Sequence, residues 1–207
     1  MVHEIWQCPA DAIAALVLAH GAGAGMTHPN MHALADAFAA HGVATLRFNF
    51  PFIDERRKRT DPPSVATARI AAALLSARER TRLPVWIGGH SFGGRMASHA
   101  VLTEPIDPAG LVFCSFPLHA AGKPGVERAR HLASIRRPML FLSGTRDALA
   151  APALLEEVVR GLPAASLHWL DTADHGYRVL KRARATPGDV FDEIARATRS
   201  FMDRHRV

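Results

Sequence analysis

The sequence has 207 residues, of which 48% are hydrophobic and 21% are charged, so one domain over residues 1–207 can build its core without disulfides or a structural metal. The formal net charge is +6, but the basic runs at 56–59 and 181–184 are short and contain no aromatic residues. We therefore assign the charge to a solvated surface and expect no nucleic-acid partner.

Cysteine usage and hydropathy indicate where the chain resides. The two cysteines, Cys8 and Cys114, cannot form a disulfide framework, which suggests a reducing compartment. The apolar stretch at 12–19 is far shorter than the roughly 20 residues that cross a bilayer, and no basic segment precedes it. We expect a cytoplasmic protein with no signal peptide and no membrane partner.

Short apolar runs alternate with longer segments of helical periodicity along the chain. This alternation indicates βα units and a mostly parallel sheet. Most of the runs are continuously apolar, as expected for strands covered by helices on both faces. In chain order, the predicted strands are 13–19, 43–48, 84–88, 110–115, 138–143 and 166–170.

Apolar residues at helical spacing fill the intervals between these strands. The predicted helices lie near 31–38, 70–75, 91–102, 154–159 and 191–201. The Pro-rich segment 51–64 is predicted to be a mobile surface loop, and 117–125 a second loop. Neither is long enough to form a lid domain. The elements predict a three-layer α/β fold with a sheet of about six strands and a minimal cap or none.

The strongest motif is Gly89-His90-Ser91-Phe92-Gly93, which matches the G-x-S-x-G nucleophile elbow. It follows an apolar strand and precedes a helix with small residues on one side. A strand that turns sharply into a helix forces the serine into strained backbone angles, and glycines relieve the crowding there. Ser91 is therefore the candidate nucleophile. An ordinary glycine-rich turn is the alternative.

A serine nucleophile needs a base, and the base needs an orienting acid. In an elbow-type hydrolase these follow in the order Ser, acid, His. Asp147 and His175 each lie directly after a predicted strand, where ligand-facing groups of such sheets collect. Asp147 is the candidate acid and His175 the candidate base. Asp171 and Asp174 are rival acids, but they lie too near His175 in sequence to sit behind its ring.

Two backbone N–H groups are expected to form an oxyanion hole. One belongs to Phe92, and the other is assigned to Ala22, with Gly23 as the second choice, in the glycine-rich stretch at 20–25. That stretch lacks the spacing of a dinucleotide loop and the lysine of a P-loop. His28 and His32 lack the third ligand of a metal site. We expect neither a cofactor nor a metal.

These motifs together resemble the α/β-hydrolase superfamily. Within it, the chain is similar to the small dienelactone-hydrolase-like and KANL/Tex-type domains. The resemblance rests on the stretches at 20–25, 47–51, 88–95, 143–147 and 174–175, which span most of the chain. It implies an α/β-hydrolase fold, with Ser91, Asp147 and His175 as nucleophile, acid and base. Dienelactone hydrolases carry a cysteine at the elbow, so their substrate is not carried over to a chain with Ser91.

The leading hypothesis is a serine hydrolase that acts on a small-molecule carboxylic ester or thioester through an acyl-enzyme. The alternative is a non-catalytic module of the same fold that binds a protein partner. A basic charge and relatives that serve in larger assemblies favour the alternative. The complete set of Ser91, Asp147 and His175 favours the enzyme.

Overall fold

Seven strands form one sheet in the computed structural model, which describes residues 3–206. The spatial order is first, third, second, fourth, fifth, sixth, seventh, and every neighbouring pair is parallel except the first with the third. In chain order the strands are β1 (Glu4–Gln7), β2 (Ala14–Ala19), β3 (Val43–Phe48), β4 (Val85–His90), β5 (Leu111–Cys114), β6 (Met139–Gly144) and β7 (Ala165–Leu170).

Helices cover both faces of this sheet. Within residues 3–206 they are α1 (Pro29–Ala40), α2 (Pro51–Asp54), α3 (Pro63–Arg80), α4 (Phe92–Thr103), a 3₁₀ helix (Glu127–Ser134), α5 (Pro152–Arg160) and α6 (Val190–Arg204). Helices α1 and α6 pack together over one face, where Phe38 and Phe201 join Trp86 of the sheet. Helices α3, α4 and α5 cover the other face, around Phe113 and Phe141. The predicted α/β-hydrolase architecture is confirmed, and no cap covers the sheet within the described range.

Three features differ from the sequence predictions. The 3₁₀ helix at Glu127–Ser134 was not predicted. The sheet has seven strands rather than about six, because β1 was not predicted: its four residues are only partly buried and lack a continuous apolar run. The prediction of a loop over 51–64 is wrong at both ends, where α2 forms and α3 begins. Between them, the buried carboxylate of Asp61 accepts the Phe52 N–H at 3.1 Å and pairs with Arg57, which ties this segment to the core.

Strand β1 closes one edge of the sheet through an ionic anchor. The Glu4 carboxylate accepts hydrogen bonds from Arg69 and Ser76, both on α3, at 3.1 and 2.6 Å. An edge strand that is short and charged is protected from pairing with other chains. None of the helices between residues 3 and 206 has both the length and the apolar character that crossing a membrane requires.

The strand order reverses direction at the centre of the sheet. From β2 the chain moves to β3 on one side and then returns to β4 on the other, so β2 and β4 are neighbours whose connections diverge. In open parallel sheets, ligands bind in the crevice beyond the carboxyl ends of such strands. The topology therefore predicts a ligand site at the loops that follow β2 and β4.

Main-chain packing between the central strands leaves no room for a side chain at Gly88. A Cβ atom there would lie 1.9 Å from the carbonyl oxygen of Val112 in β5. We expect Gly88→Ala to lower the free energy of unfolding by about 3 kcal/mol or more, since backbone rather than a flexible side chain must move. Gly23→Ala is the matched control, because no atom lies within 4 Å of its added Cβ. Urea denaturation measures both, and equal stabilities would refute the argument.

Candidate active site

The loops that carry the predicted site residues meet at the carboxyl ends of the parallel strands. Ser91 follows β4, Asp147 lies beyond β6, and His175 lies beyond β7. Because these strands are parallel, their carboxyl ends point in the same direction. Residues that lie far apart in the sequence are thus brought together around the crevice between β2 and β4.

Ser91 occupies a strained turn between β4 and α4. Its backbone angles are φ 52° and ψ −113°, a conformation that a non-glycine residue adopts at a cost of about 1–3 kcal/mol. The Ser91 N–H donates to the Cys114 carbonyl at 3.0 Å, which fastens the turn to β5. A Cβ atom on Gly93 would lie 2.6 Å from the Ala19 and His20 carbonyl oxygens, so only glycine lets α4 approach β2 this closely.

An unbroken chain of hydrogen bonds joins the three predicted side chains. The Ser91 Oγ lies 2.8 Å from His175 Nε2, and His175 Nδ1 lies 2.8 Å from one carboxylate oxygen of Asp147 and 3.0 Å from the other. The Asp147 side chain is fully buried, whereas 23% of the His175 side chain is exposed. Since a carboxylate only accepts, Nδ1 carries the proton and Nε2 is free to accept from the Ser91 hydroxyl.

The two rival acids, Asp171 and Asp174, accept hydrogen bonds from backbone N–H groups. Asp174 accepts hydrogen bonds from the backbone N–H groups of Gly176 and Arg178, both at 2.9 Å, and so shapes the turn that carries His175. Asp171 accepts the Ala185 N–H at 2.6 Å. It is Asp147 that the structure places behind the imidazole.

The loop after β2 is held by a buried histidine. His20 Nδ1 donates to the Gly21 carbonyl at 2.8 Å, and its Nε2 accepts the Phe50 N–H at 3.0 Å. Burial lowers the pKa of His20, which favours the neutral ring that this pair of hydrogen bonds requires. The histidine thereby supports the main chain immediately before Ala22.

The two groups predicted for the oxyanion hole lie on either side of the crevice. Phe92 is the first residue of α4, and Ala22 is in the exposed turn after β2. Among residues 3–206, no backbone carbonyl accepts either N–H. Gly23, the second choice, lies in the same exposed turn. The Phe92 ring packs edge-on against Phe50, with centroids 5.3 Å apart, and forms an apolar wall beside Ser91.

His90 connects three parts of the site, and the sequence analysis missed this role. Its Nε2 donates to the backbone carbonyl of His175 at 2.9 Å, and its ring packs against Tyr177 with centroids 5.3 Å apart. A Cβ atom on Gly21 would lie only 2.8 Å from His90 Nδ1, so the ring also touches the loop after β2. Burial lowers the pKa of His90 to about 4, so the ring is neutral at pH 7. Its place beside Ser91 in the motif was the available signal.

The histidines considered as metal ligands have other partners. His28 caps α1 by accepting the Asn30 N–H at 3.2 Å, and His32 lies 3.1 Å from the Arg47 guanidinium. Across the part of the chain that the structure describes, no group of three His, Cys, Asp or Glu side chains has the arrangement of a metal site.

Comparison with known proteins identifies the family. Residues 12–203 match the model of the α/β-hydrolase domain family. The chain belongs to this family. The match spans the loops of Ser91, Asp147 and His175, and the superfamily assignment from sequence motifs is confirmed.

Solved structures of α/β-hydrolases share the fold of this chain at low sequence identity. Dienelactone hydrolase from Anabaena variabilis is 20% identical with a TM-score of 0.74, over 97% of this chain and 90% of that one. Est1E from Butyrivibrio proteoclasticus with bound ferulic acid is 13% identical with a TM-score of 0.74, over 99% and 95%. A serine hydrolase without a lid from Xanthomonas campestris is 18% identical with a TM-score of 0.69, over 97% and 88%.

The buried neutral His90 makes the stability of this α/β-hydrolase sensitive to acid. An unfolded histidine binds a proton near pH 6.5, whereas folded His90 does so near pH 4. Between these values the unfolded chain binds more protons, so stability falls as the pH is lowered. We expect His90→Gln to lose less stability than the wild type between about pH 7 and pH 5, by on the order of 2 kcal/mol.

Urea denaturation at each pH measures this difference. The control is His3→Gln, because His3 is exposed. It should retain the wild-type pH dependence. An unchanged acid sensitivity in His90→Gln would show that other groups cause the loss.

Proposed function

We propose that this protein is a serine hydrolase that cleaves carboxylic esters or thioesters, with Ser91 as nucleophile, His175 as base and Asp147 as orienting acid. The observation that carries the proposal is the hydrogen-bonded chain from the Ser91 Oγ to the buried Asp147 carboxylate, with 2.8 Å between Ser91 Oγ and His175 Nε2. This separation lies within the range required for proton transfer between a nucleophile and its base.

Acylation begins at the Ser91 hydroxyl. His175 Nε2 takes its proton while Oγ forms a bond to the substrate carbonyl carbon, and the carbonyl π electrons move to oxygen. The backbone N–H groups of Phe92 and Ala22 stabilise this oxyanion. When the C=O bond re-forms, the bond to the leaving alcohol or thiol breaks, and His175 gives that group its proton. An acyl-enzyme on Ser91 remains.

Deacylation repeats these steps with water. His175 takes a proton from a water molecule, whose oxygen attacks the acyl carbon, and then returns the proton to Ser91 Oγ as the carboxylic acid leaves. The imidazole is cationic at both tetrahedral stages. The buried Asp147 carboxylate stabilises that cation and keeps the proton on Nδ1 in the resting site.

Two further residues act through the reacting groups without touching substrate. His90 holds the backbone carbonyl of His175, and His20 holds the carbonyl of Gly21 next to Ala22. Both are positioning residues in the proposed mechanism. Each is a neutral imidazole with a defined tautomer, so neither adds a permanent charge beside the proton-transfer pair of Ser91 and His175.

An ester or thioester fits this site better than a peptide. The crevice is formed by short loops, and within residues 3–206 no additional domain extends it into a groove for a polypeptide. Two proteins of similar structure are named a dienelactone hydrolase and an Est1E complex with ferulic acid. Small acyl substrates are consistent with both names.

Removal of the nucleophile tests the proposal directly. We expect Ser91→Ala to reduce 4-nitrophenyl butyrate turnover by about a millionfold, because the three residues act as a unit. A fluorophosphonate probe should label the wild type, with Ser91 Oγ bonding to phosphorus as fluoride leaves, and should not label Ser91→Ala. The control is Ser134→Ala, which changes an exposed serine in the 3₁₀ helix. A wild type that neither labels nor turns over esters would favour a non-catalytic, partner-binding module.

The acid is tested by an isosteric amide. We expect Asp147→Asn to lower kcat by about 10⁴-fold, because an amide NH₂ facing Nδ1 would favour the wrong tautomer of His175. Asp171→Asn is the matched control, since Asp171 accepts a backbone N–H that an asparagine oxygen can still accept. It should remain within about twofold of wild type. Stopped-flow or steady-state assays measure kcat, and a similar loss in both variants would argue against Asp147 as the acid.

A further inference from the structure

A cleft with a basic lining begins at the residue next to Ser91. Its volume is about 530 Å³, and its wall includes Phe92 and Arg95 of α4 together with Arg57, Arg59 and Asp61 from the segment between α2 and α3. We call this the arginine cleft. Phe92 lines the cleft and also carries a backbone N–H of the proposed oxyanion hole, so the cleft begins one residue from Ser91 along α4.

Arg95 is the cleft residue tied most closely to the nucleophile. It lies four residues after Ser91 on α4, and its N–H donates to the Ser91 carbonyl at 3.1 Å. Its side-chain Nε is buried and has no hydrogen-bond partner among residues 3–206. Burial lowers the pKa of Arg95, and the nearby cation of Arg128 lowers it further. Arginine nevertheless stays charged at neutral pH, so Arg95 is a half-buried cation with no anionic partner among residues 3–206.

The acidic groups nearby are already engaged. The Asp61 carboxylate pairs with Arg57 and also accepts the Phe52 N–H. Arg57 receives a second partner in Glu55, at 2.5 Å. Within the described part of the chain, neither Arg59 nor Arg95 forms a salt bridge. Asp61 and Glu55 are thus both paired with Arg57, whereas Arg59 and Arg95 have no carboxylate partner among residues 3–206. The cleft therefore has a net positive charge.

We infer that the substrate carries an anionic oxygen group, a carboxylate or a phosphate, that binds in the arginine cleft while the scissile carbonyl lies at Ser91. This inference rests on the proposed function and specifies its substrate class. A guanidinium offers paired N–H donors that match the oxygens of either anion. Four residues of helix span about 6 Å, so a linker of a few atoms between the carbonyl and the anion fits this spacing.

Two 4-nitrophenyl esters that share the five-carbon glutaryl chain test the inference. The substrates are 4-nitrophenyl glutarate, which is anionic, and its methyl ester, which is neutral. We expect the wild type to prefer the anionic ester by about 10–100-fold in kcat/KM, since a charged hydrogen bond contributes about 1.5–3 kcal/mol. Arg95→Gln should reduce this preference at least tenfold, Arg59→Gln should reduce it less, and Arg95→Lys should retain part of it.

The matched control is Arg82→Gln, which removes the same charge from an exposed arginine. Arg82 lies just before β4, at the opposite end of that strand from Ser91. It should leave both rates and their ratio unchanged. A ratio near one in the wild type, or one that Arg95→Gln does not alter, would overturn the inference while ester hydrolysis itself still supports the proposed function.

A binding measurement that does not depend on turnover distinguishes failure of the anion site from failure of the proposed ester hydrolysis. Calorimetric titration of Ser91→Ala with the same two esters should show tighter binding of 4-nitrophenyl glutarate, and the double variant Ser91→Ala/Arg95→Gln should lose that difference. Charge-selective binding in a chain whose wild type hydrolyses neither ester would refute the proposed function and retain the anion site. Equal binding of both esters would refute the anion site.

Inhibition identifies the class of anion. Glutarate and inorganic phosphate are added separately to assays with 4-nitrophenyl butyrate. Stronger inhibition by glutarate assigns a carboxylate, and stronger inhibition by phosphate assigns a phosphate. In either case the inhibition should weaken in Arg95→Gln but not in Arg82→Gln, and no inhibition by either anion would count against the inference.

Discussion

Close packing of main chain around the turn from β4 to α4 governs the geometry of the whole site. Gly88 and Gly93 touch neighbouring carbonyl groups so closely that neither position has space for a Cβ atom. The Gly93 contact sets the distance between α4 and β2, and Ser91, in the same turn, has a positive φ and donates its N–H to Cys114 of β5. The Ser91 hydroxyl, the Phe92 N–H and the Arg95 side chain are thus displayed from one rigid turn.

Two neutral imidazoles, those of His20 and His90, hold the loops around the site. His20 and His90 each lose charge through burial, and each donates one hydrogen bond to a backbone carbonyl of a loop that the proposed chemistry uses. A charged side chain in the same places would add a permanent field beside Ser91. Neutral imidazoles hold these loops in place without adding a charge of their own, and the Asp147 carboxylate stabilises the cation that forms on His175.

The apolar strands and the glycine motif were the parts of the fold that the sequence could predict. Six strands were predicted close to their observed bounds, mostly because strands inside the sheet are covered on both faces and have continuously apolar sequences. Strand β1 lacks that signal, since it is an edge strand fixed by the distant partners Arg69 and Ser76. Helix α2 was missed because its single turn depends on tertiary contacts such as the burial of Phe52.

The residues of the candidate site also fall into those that the sequence could predict and those that it could not. Ser91, Asp147 and His175 follow strands whose ends must converge in a parallel sheet, so their meeting was predictable from order along the chain. The link from His90 to the His175 carbonyl and the grouping of Arg59 with Arg95 were not. Both depend on how loops fold back onto the sheet edge, which no local pattern encodes.

The segment between α2 and α3 is anchored independently of the loop that carries His175, which affects how the protein can evolve. This segment is tied to the core by the buried Asp61 carboxylate, whereas the loop that carries His175 is tied to the Ser91 turn through His90. Residues 58–60, which exclude the Asp61 partner Arg57, can therefore vary in charge without disturbing the proton-transfer geometry. New substrate selectivity can arise on that rim while the chemical machinery stays intact, as is common where variable loops border a rigid scaffold.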